Sequence, residues 1–255
     1  MDKKLKLFKR LLDIMDNLRE NCPWDKKQTY ETLRHLTIEE TYELADAIIE
    51  ENTGDIKKEL GDLLLHVVFY AKIGEGKGDF DIADVLQNIC DKLVERHPHI
   101  YGDVKVTSDD DVKDNWEKIK MKNGLKKVLS GVPQSLPAMV KAYRIQEKAR
   151  GVGFDWEKPT QVWDKVQEEL NELRDVAENN GSEKDVEEEF GDLLFALINY
   201  ARFINVNPEN ALEKTNKKFI KRFEYLEQQV NESGQDLKKM SLDEMDAIWN
   251  DAKKR

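Results

Sequence analysis

Along much of this chain apolar residues recur three and four positions apart, the spacing that places side chains on one face of an α-helix. Residues 1–20, MDKKLKLFKRLLDIMDNLRE, mix Lys and Asp with Leu at that period and predict an amphipathic helix rather than a signal peptide. Leu36, Ile38, Tyr42, Leu44, Ala45, Ile48 and Ile49 form a broad apolar face on a second helix, with Gly54 read as its stop. Further helices are predicted from about Asp55 to Lys72, from about Ile82 to His97 with a stop at Pro98, and around Trp116. The same order restarts at Val162, with Asn179-Asn180-Gly181-Ser182 as its turn.

The restart reflects a duplication. GDLLLHVVFYAKI at 61–73 returns as GDLLFALINYARF at 191–203. Glu39-Glu40-Thr41-Tyr42-Glu43 precedes the first copy and Glu168-Glu169-Leu170-Asn171-Glu172 the second. Downstream, Lys92 and Arg96 recur as Lys218 and Arg222, and Trp116 and Lys120 as Trp249 and Lys253. The segment SGVPQSLPA holds two of the six prolines and is the expected joint. The predicted architecture is therefore all-α: two tandem, related helical bundles, residues 1–129 and 139–255, joined by a linker at 130–138.

Composition narrows the function. With 52 acidic against 41 basic residues the net charge is −11, which argues against a general nucleic-acid binder. The longest apolar stretch, Leu63 to Ala71, is interrupted by His66 and falls far short of the ~20 residues of a membrane span. Cys22 and Cys90 lack metal spacing and are too few for a disulfide framework; they read as buried or half-buried residues in a reducing cytoplasm.

Acidic clusters are usually solvated helix faces. Asp62 and Asp192 weigh against that reading here, because each sits in a run of Leu, Val, Phe and Ala, where a carboxylate needs a partner. Glu40 and Glu43 lie at i,i+3, as do Glu59 and Asp62, so two antiparallel helices would converge four carboxylates, with no Lys or Arg in that stripe. Glu169, Glu172, Glu189 and Asp192 repeat the set. An oxygen-only site suits Mg²⁺ or Mn²⁺. Neither half carries the Glu-x-x-His of a di-iron bundle, and His66, whose counterpart is Ala196, reads as a core-edge residue. The pairs Lys92/Arg96, Lys218/Arg222, Trp116/Lys120 and Trp249/Lys253 each present two side chains from one helix face. Beside a metal-carboxylate site they suit a polyphosphate.

The E-E-x-x-E and E-x-G-D-L-L motifs, with Cys22-Pro23-Trp24-Asp25, Arg96-His97-Pro98-His99 and Gly153-Phe154-Asp155-Trp156, closely resemble the MazG family of two-domain, all-α nucleoside triphosphate pyrophosphohydrolases. The resemblance covers nearly the whole chain. It implies Mg²⁺-dependent hydrolysis of NTPs, ATP included, and dNTPs between the α and β phosphates to NMP and pyrophosphate, a house-cleaning or pool-control role, and a homodimer. It also implies that Glu169, Glu172, Glu189 and Asp192 hold the metal, with Glu168 or Glu169 activating water. Lys165, Lys218, Arg222, Trp249 and Lys253 would then contact the nucleotide, although Lys165, one turn before Glu169, is also spaced for a local i,i+4 salt bridge. The first copy, with Glu39, Glu40, Glu43, Glu59, Asp62, Lys92, Arg96, Trp116 and Lys120, stands as a second candidate site. The rival readings are a non-catalytic nucleotide-sensing dimer, a protein-interaction scaffold, and a hydrolase of phosphoribosyl nucleotides or of one dNTP. No base-reading motif and no Gly-rich phosphate loop occurs in the chain.

Overall fold

The computed structural model describes residues 2–105, 112, 115, 119, 127–179 and 181–254, and among these there is no strand. Two compact units emerge, Met1–Val112 and Lys113–Arg255. The helix expected around Trp116 falls largely outside the described residues, as do Trp116, Lys120 and Asn180 themselves.

The first unit comprises α1 (Lys3–Asn21), α2 (Tyr30–Ile49), α3 (Thr53–Lys77), α4 (Ile82–Arg96) and the single turn α5 (Pro98–Tyr101). Each start has a local cause. Thr29 and Thr32 form a reciprocal capping box on α2, and Asp81 and Asp84 form one on α4. The stop after α2 differs from the expectation. That helix ends at Ile49, and Asn52 caps α3 by accepting from the amides of Gly54 (3.1 Å) and Asp55 (3.3 Å), so Gly54 lies in the first turn of α3.

The second unit comprises α6 (Ala138–Arg150), α7 (Pro159–Glu178), α8 (Glu183–Phe203), α9 (Pro208–Glu232) and α10 (Leu242–Ala252). Pro159 opens α7, where its missing N–H costs nothing, and Ser182 with Asp185 boxes the start of α8. In each unit the two motif helices, α2 with α3 and α7 with α8, are the most extensively packed pair.

The core of the first unit gathers Met15 from α1, Leu33 from α2, and Val68, Phe69 and Ile73 from α3. The broad apolar face expected on α2 is only partly used inside the chain, since Ile38, Tyr42 and Ile48 remain exposed while Leu33 and Ala47 are buried. Among the cysteines Cys22 is half-buried and Cys90 exposed, both with free thiols; the buried reading of Cys90 fails because α4 leaves that face open.

Candidate functional site

The antiparallel return of α8 along α7 sets Glu189 opposite Glu169 and Glu172, and one oxygen from each lies within 4.8 Å of the other two. Glu40, Glu43 and Glu59 form the same cluster between α2 and α3. In both clusters one carboxylate is buried, Glu169 at 7% and Glu59 at 4% exposure. The expectation about burial is thereby corrected: Asp192 is exposed and Asp62 half-buried. Neither aspartate belongs to the three-carboxylate clusters, although Asp62 is close enough to raise the pKa of Glu40.

Crowding is legible in the protonation behaviour. Glu172 binds its proton more tightly than an ordinary glutamate, first through a hydrogen bond with Glu169, then through desolvation and the negative charge of Glu169. Glu40 is raised chiefly by desolvation, then by Asp62, Glu43 and Glu59.

Cations do enter the stripe, Lys58 against the sequence reading and Lys165 through the i,i+4 spacing that predicts a salt bridge with Glu169. Lys165 Nζ bonds Glu169 at 2.6 Å and Glu168 at 2.8 Å, which raises its pKa above that of a free lysine. Lys58 Nζ bonds Glu59 at 2.9 Å and approaches Glu43 at 3.8 Å. The two lysines are not repeats of one another: Lys58 corresponds to Glu188, and Lys165 to Leu36. Each has a stem long enough to fold back over the carboxylate of a neighbouring turn or position. Glu39 and Glu168 sit exposed at the cluster edges.

Donor chemistry fits a hard divalent cation. Every ligand atom is a carboxylate oxygen, and Glu59 Oε2 is buried without a hydrogen-bond partner. His66, four residues past Asp62, is 8% exposed and packs edge-on to Tyr70 at 6.3 Å. Burial lowers its pKa, against the opposing pull of Asp62, so it behaves as a core histidine.

In the second unit the cluster adjoins a cavity. About 570 Å³ in volume, the cavity is lined by Lys165, Glu169 and Asp192 at the acidic end and by Phe154, Trp156 and Phe195 among its other walls. The turn that carries Phe154-Asp155-Trp156 depends on Gly153, whose φ of 84° other residues rarely adopt. Arg202 on α8 then clamps Asp155, Nη1 to Oδ2 at 2.8 Å and Nη2 to Oδ1 at 2.5 Å.

The remaining expected contacts lie elsewhere. Arg222 on α9 faces the ring of Trp249 on α10 at 6.0 Å, Lys253 bonds Asn250 at 2.9 Å, and Lys218 is exposed. None of these four lines the cavity. Lys92 and Arg96 occupy the exposed and half-buried sides of the end of α4. Sequence reasoning missed Gln146, Asn199 and Arg202 in the cavity wall. The signal available was the repeat itself, in which the alignment of GDLLLHVVFYAKI with GDLLFALINYARF sets Phe69 against Asn199 and Lys72 against Arg202.

Paired helices that gather three carboxylates beside a ligand-sized cavity define a class: an all-α protein with an acidic site suited to a divalent cation and a small anionic ligand. Comparison with known proteins resolves the class. The family model described as "MazG nucleotide pyrophosphohydrolase domain" matches twice, at residues 28–101 and 157–226, and the chain belongs to this family. A relative from Thermotoga maritima named nucleoside triphosphate pyrophosphohydrolase/pyrophosphatase MazG is 44% identical over 97% of this chain and 96% of its own length. One from Escherichia coli named nucleoside triphosphate pyrophosphohydrolase is 41% identical over 96% of this chain and 97% of its own. The YabN protein of Bacillus subtilis is 48% identical over 96% of this chain, which covers 51% of that longer protein.

Proposed function

We propose that this chain is a nucleoside triphosphate pyrophosphohydrolase that uses Mg²⁺, or Mn²⁺, to cleave NTPs and dNTPs between the α and β phosphates. The observation that carries this reading is the continuity of the carboxylate cluster of the second unit with the cavity, through Lys165, Glu169 and Asp192. The names of relatives 41–44% identical over nearly the whole chain support the activity.

Glu169, Glu172 and Glu189, with Asp192 at the cavity edge, would hold the cation, which supplies charge neutralisation at the phosphate oxygens. Glu168 or Glu169 orients water toward Pα and takes its proton. The bond from that oxygen to Pα forms as the Pα–O bond to the β phosphate breaks, and pyrophosphate leaves. Lys165 steadies the two glutamates that face the water. Lys218, Arg222, Trp249 and Lys253 lie outside the cavity wall, and their part is carried over from the family resemblance alone: positive charge for the leaving pyrophosphate, with Trp249 beside Arg222. The Glu40, Glu43 and Glu59 cluster, with Asp62, is the second candidate site.

The homodimer reading rests on an uncovered apolar stripe. Phe190, Leu194 and Leu197 recur at i, i+4 and i+7 on α8 with 53, 41 and 40% exposure, and Leu60, Leu64 and Val67 repeat it on α3. Two free thiols fit a reducing, cytoplasmic setting, and the charge of −11 fits a protein that does not bind nucleic acid. Among the described residues no helix is long and apolar enough to cross a membrane.

The purified chain, incubated with a panel of NTPs and dNTPs with and without Mg²⁺, tests the reading by chromatography of the products. NMP and pyrophosphate appearing only with the cation support it. NDP and phosphate would overturn it, and nucleotide binding without turnover would favour the sensor.

A further inference from the structure

The two halves of the duplication treat one position in opposite ways. In the first unit His66 and Phe69, one turn apart on α3, are 8% and 3% exposed, and Phe69 packs with Met15 of α1 in the core. Their counterparts on α8 are Ala196 and Asn199, and both line the cavity. The first unit therefore fills with an imidazole and a phenyl ring a region that the second unit leaves hollow and edges with an amide.

Hydrogen bonding fixes how the amides of the hollow are turned. Arg202 donates to Asn199 Oδ1 through Nε (3.1 Å) and Nη2 (2.8 Å). A guanidinium has no acceptor, so the oxygen of Asn199 must face it, and the Nδ2 amino group remains as a donor. Gln146 on α6, 6% exposed, donates from Nε2 to the carbonyl of Phe195 at 2.8 Å. A carbonyl only accepts, so Gln146 keeps Oε1, a buried acceptor without a partner. Phe154 and Trp156, 82% and 46% exposed, add aromatic faces to the same walls.

From this arrangement we propose that the cavity of the second unit is the seat of the nucleobase and that Asn199 and Gln146 are the residues that read its edge. A ring that stacks on Phe154 or Trp156 and carries a donor next to an acceptor satisfies both amides. Every nucleobase has such an edge on a flat ring; a bare sugar phosphate has hydroxyls but no ring to stack. The inference rests on the proposed NTP activity and assigns to the second unit the discrimination between nucleotides and base-free polyphosphates.

The test uses the full chain in two variants. A196H/N199F transplants the filling residues of the first unit. Asn199→Asp keeps the shape and the bonds from Arg202 while exchanging the amino donor for an oxygen. Circular dichroism and thermal melting establish that each is folded. Both variants are expected to raise KM for NTPs about tenfold or more, the scale of a lost hydrogen bond plus lost stacking. Hydrolysis of ribose 5-triphosphate should fall far less than that of NTPs. Calorimetry of NMP against ribose 5-phosphate reads the base contribution without catalysis, and the advantage of NMP should vanish in the variants. Unchanged NTP affinity in either folded variant, or equal weakening of the base-free ligands, would overturn the base seat. A wild-type protein that binds NMP more tightly than ribose 5-phosphate but hydrolyses no triphosphate would sink the enzymatic reading and uphold the seat.

Discussion

Asp155→Ala strands a guanidinium. Arg202 and Asp155 are 8% and 18% exposed at their side chains, and two parallel hydrogen bonds join them. An exposed pair of this kind is worth about 0–1 kcal/mol, whereas breaking a buried one costs about 3–5 kcal/mol because the surviving charge is left without its partner. Asp155 is exposed as a residue and Arg202 half-buried, but both charged ends are largely covered, so the pair lies between the two classes and nearer the second. Arg202 retains Asn199 Oδ1, and water from the cavity can reach part of the vacated space, so the expected loss is near the lower end, about 3 kcal/mol. Hydrogen exchange read by mass spectrometry on the full chain resolves the units separately. In peptides of α8 that exchange through unfolding of the second unit, rates should rise roughly 100-fold, one decade per 1.4 kcal/mol. Peptides of α3 should be unaffected. The companion Asp155→Ala with Arg202→Met removes both charges, and its cost should fall well below the sum of the single changes. A single variant whose rates rise less than about twofold, or strict additivity, would refute the claim that burial dominates the bridge.

Three other outcomes are expected, the first from the family resemblance and the other two from the structure. Arg222→Ala should weaken the use of NTPs far more than the binding of NMP, since its charge serves phosphates that NMP lacks; equal losses by calorimetry would place Arg222 elsewhere. Leu194→Glu should shift the sedimentation of the chain from dimer to monomer by putting a charge in the exposed stripe of α8, and an unshifted dimer would exclude that face. Asp185 has its pKa held below that of an ordinary aspartate by bonds from Ser182 Oγ (2.7 Å) and the Ser182 amide (3.0 Å). A depressed folded pKa contributes stability present above the unfolded value and lost as pH falls through the folded one, so Tm should drop between about pH 5 and pH 2 more steeply in wild type than in Asp185→Asn. Parallel melting curves would contradict it.

The sequence carried the helices because their apolar spacing and caps are local, and it carried the three-carboxylate clusters because Glu169, Glu172 and Glu189 are fixed by helix period and one short turn. It misjudged what depends on coverage. Asp192 lies in an apolar run yet is exposed, because the run itself is exposed at Phe190, Leu194 and Leu197. It also missed Lys58, whose flexible stem reaches Glu59 from the adjacent position, a rotamer choice that periodicity does not encode. The cavity wall needed three separated segments, α6, the Phe154–Trp156 turn and α8, and no spacing within one of them announces it. Only the difference between repeats, Phe69 against Asn199, was written in the chain beforehand.

The central claim is attack of water at Pα, and the position of oxygen in the products tests it most directly. Hydrolysis of an NTP by the chain in ¹⁸O-labelled water, with the products resolved by mass spectrometry, should place one label on the NMP and none on pyrophosphate. Label in pyrophosphate or in inorganic phosphate would contradict the account.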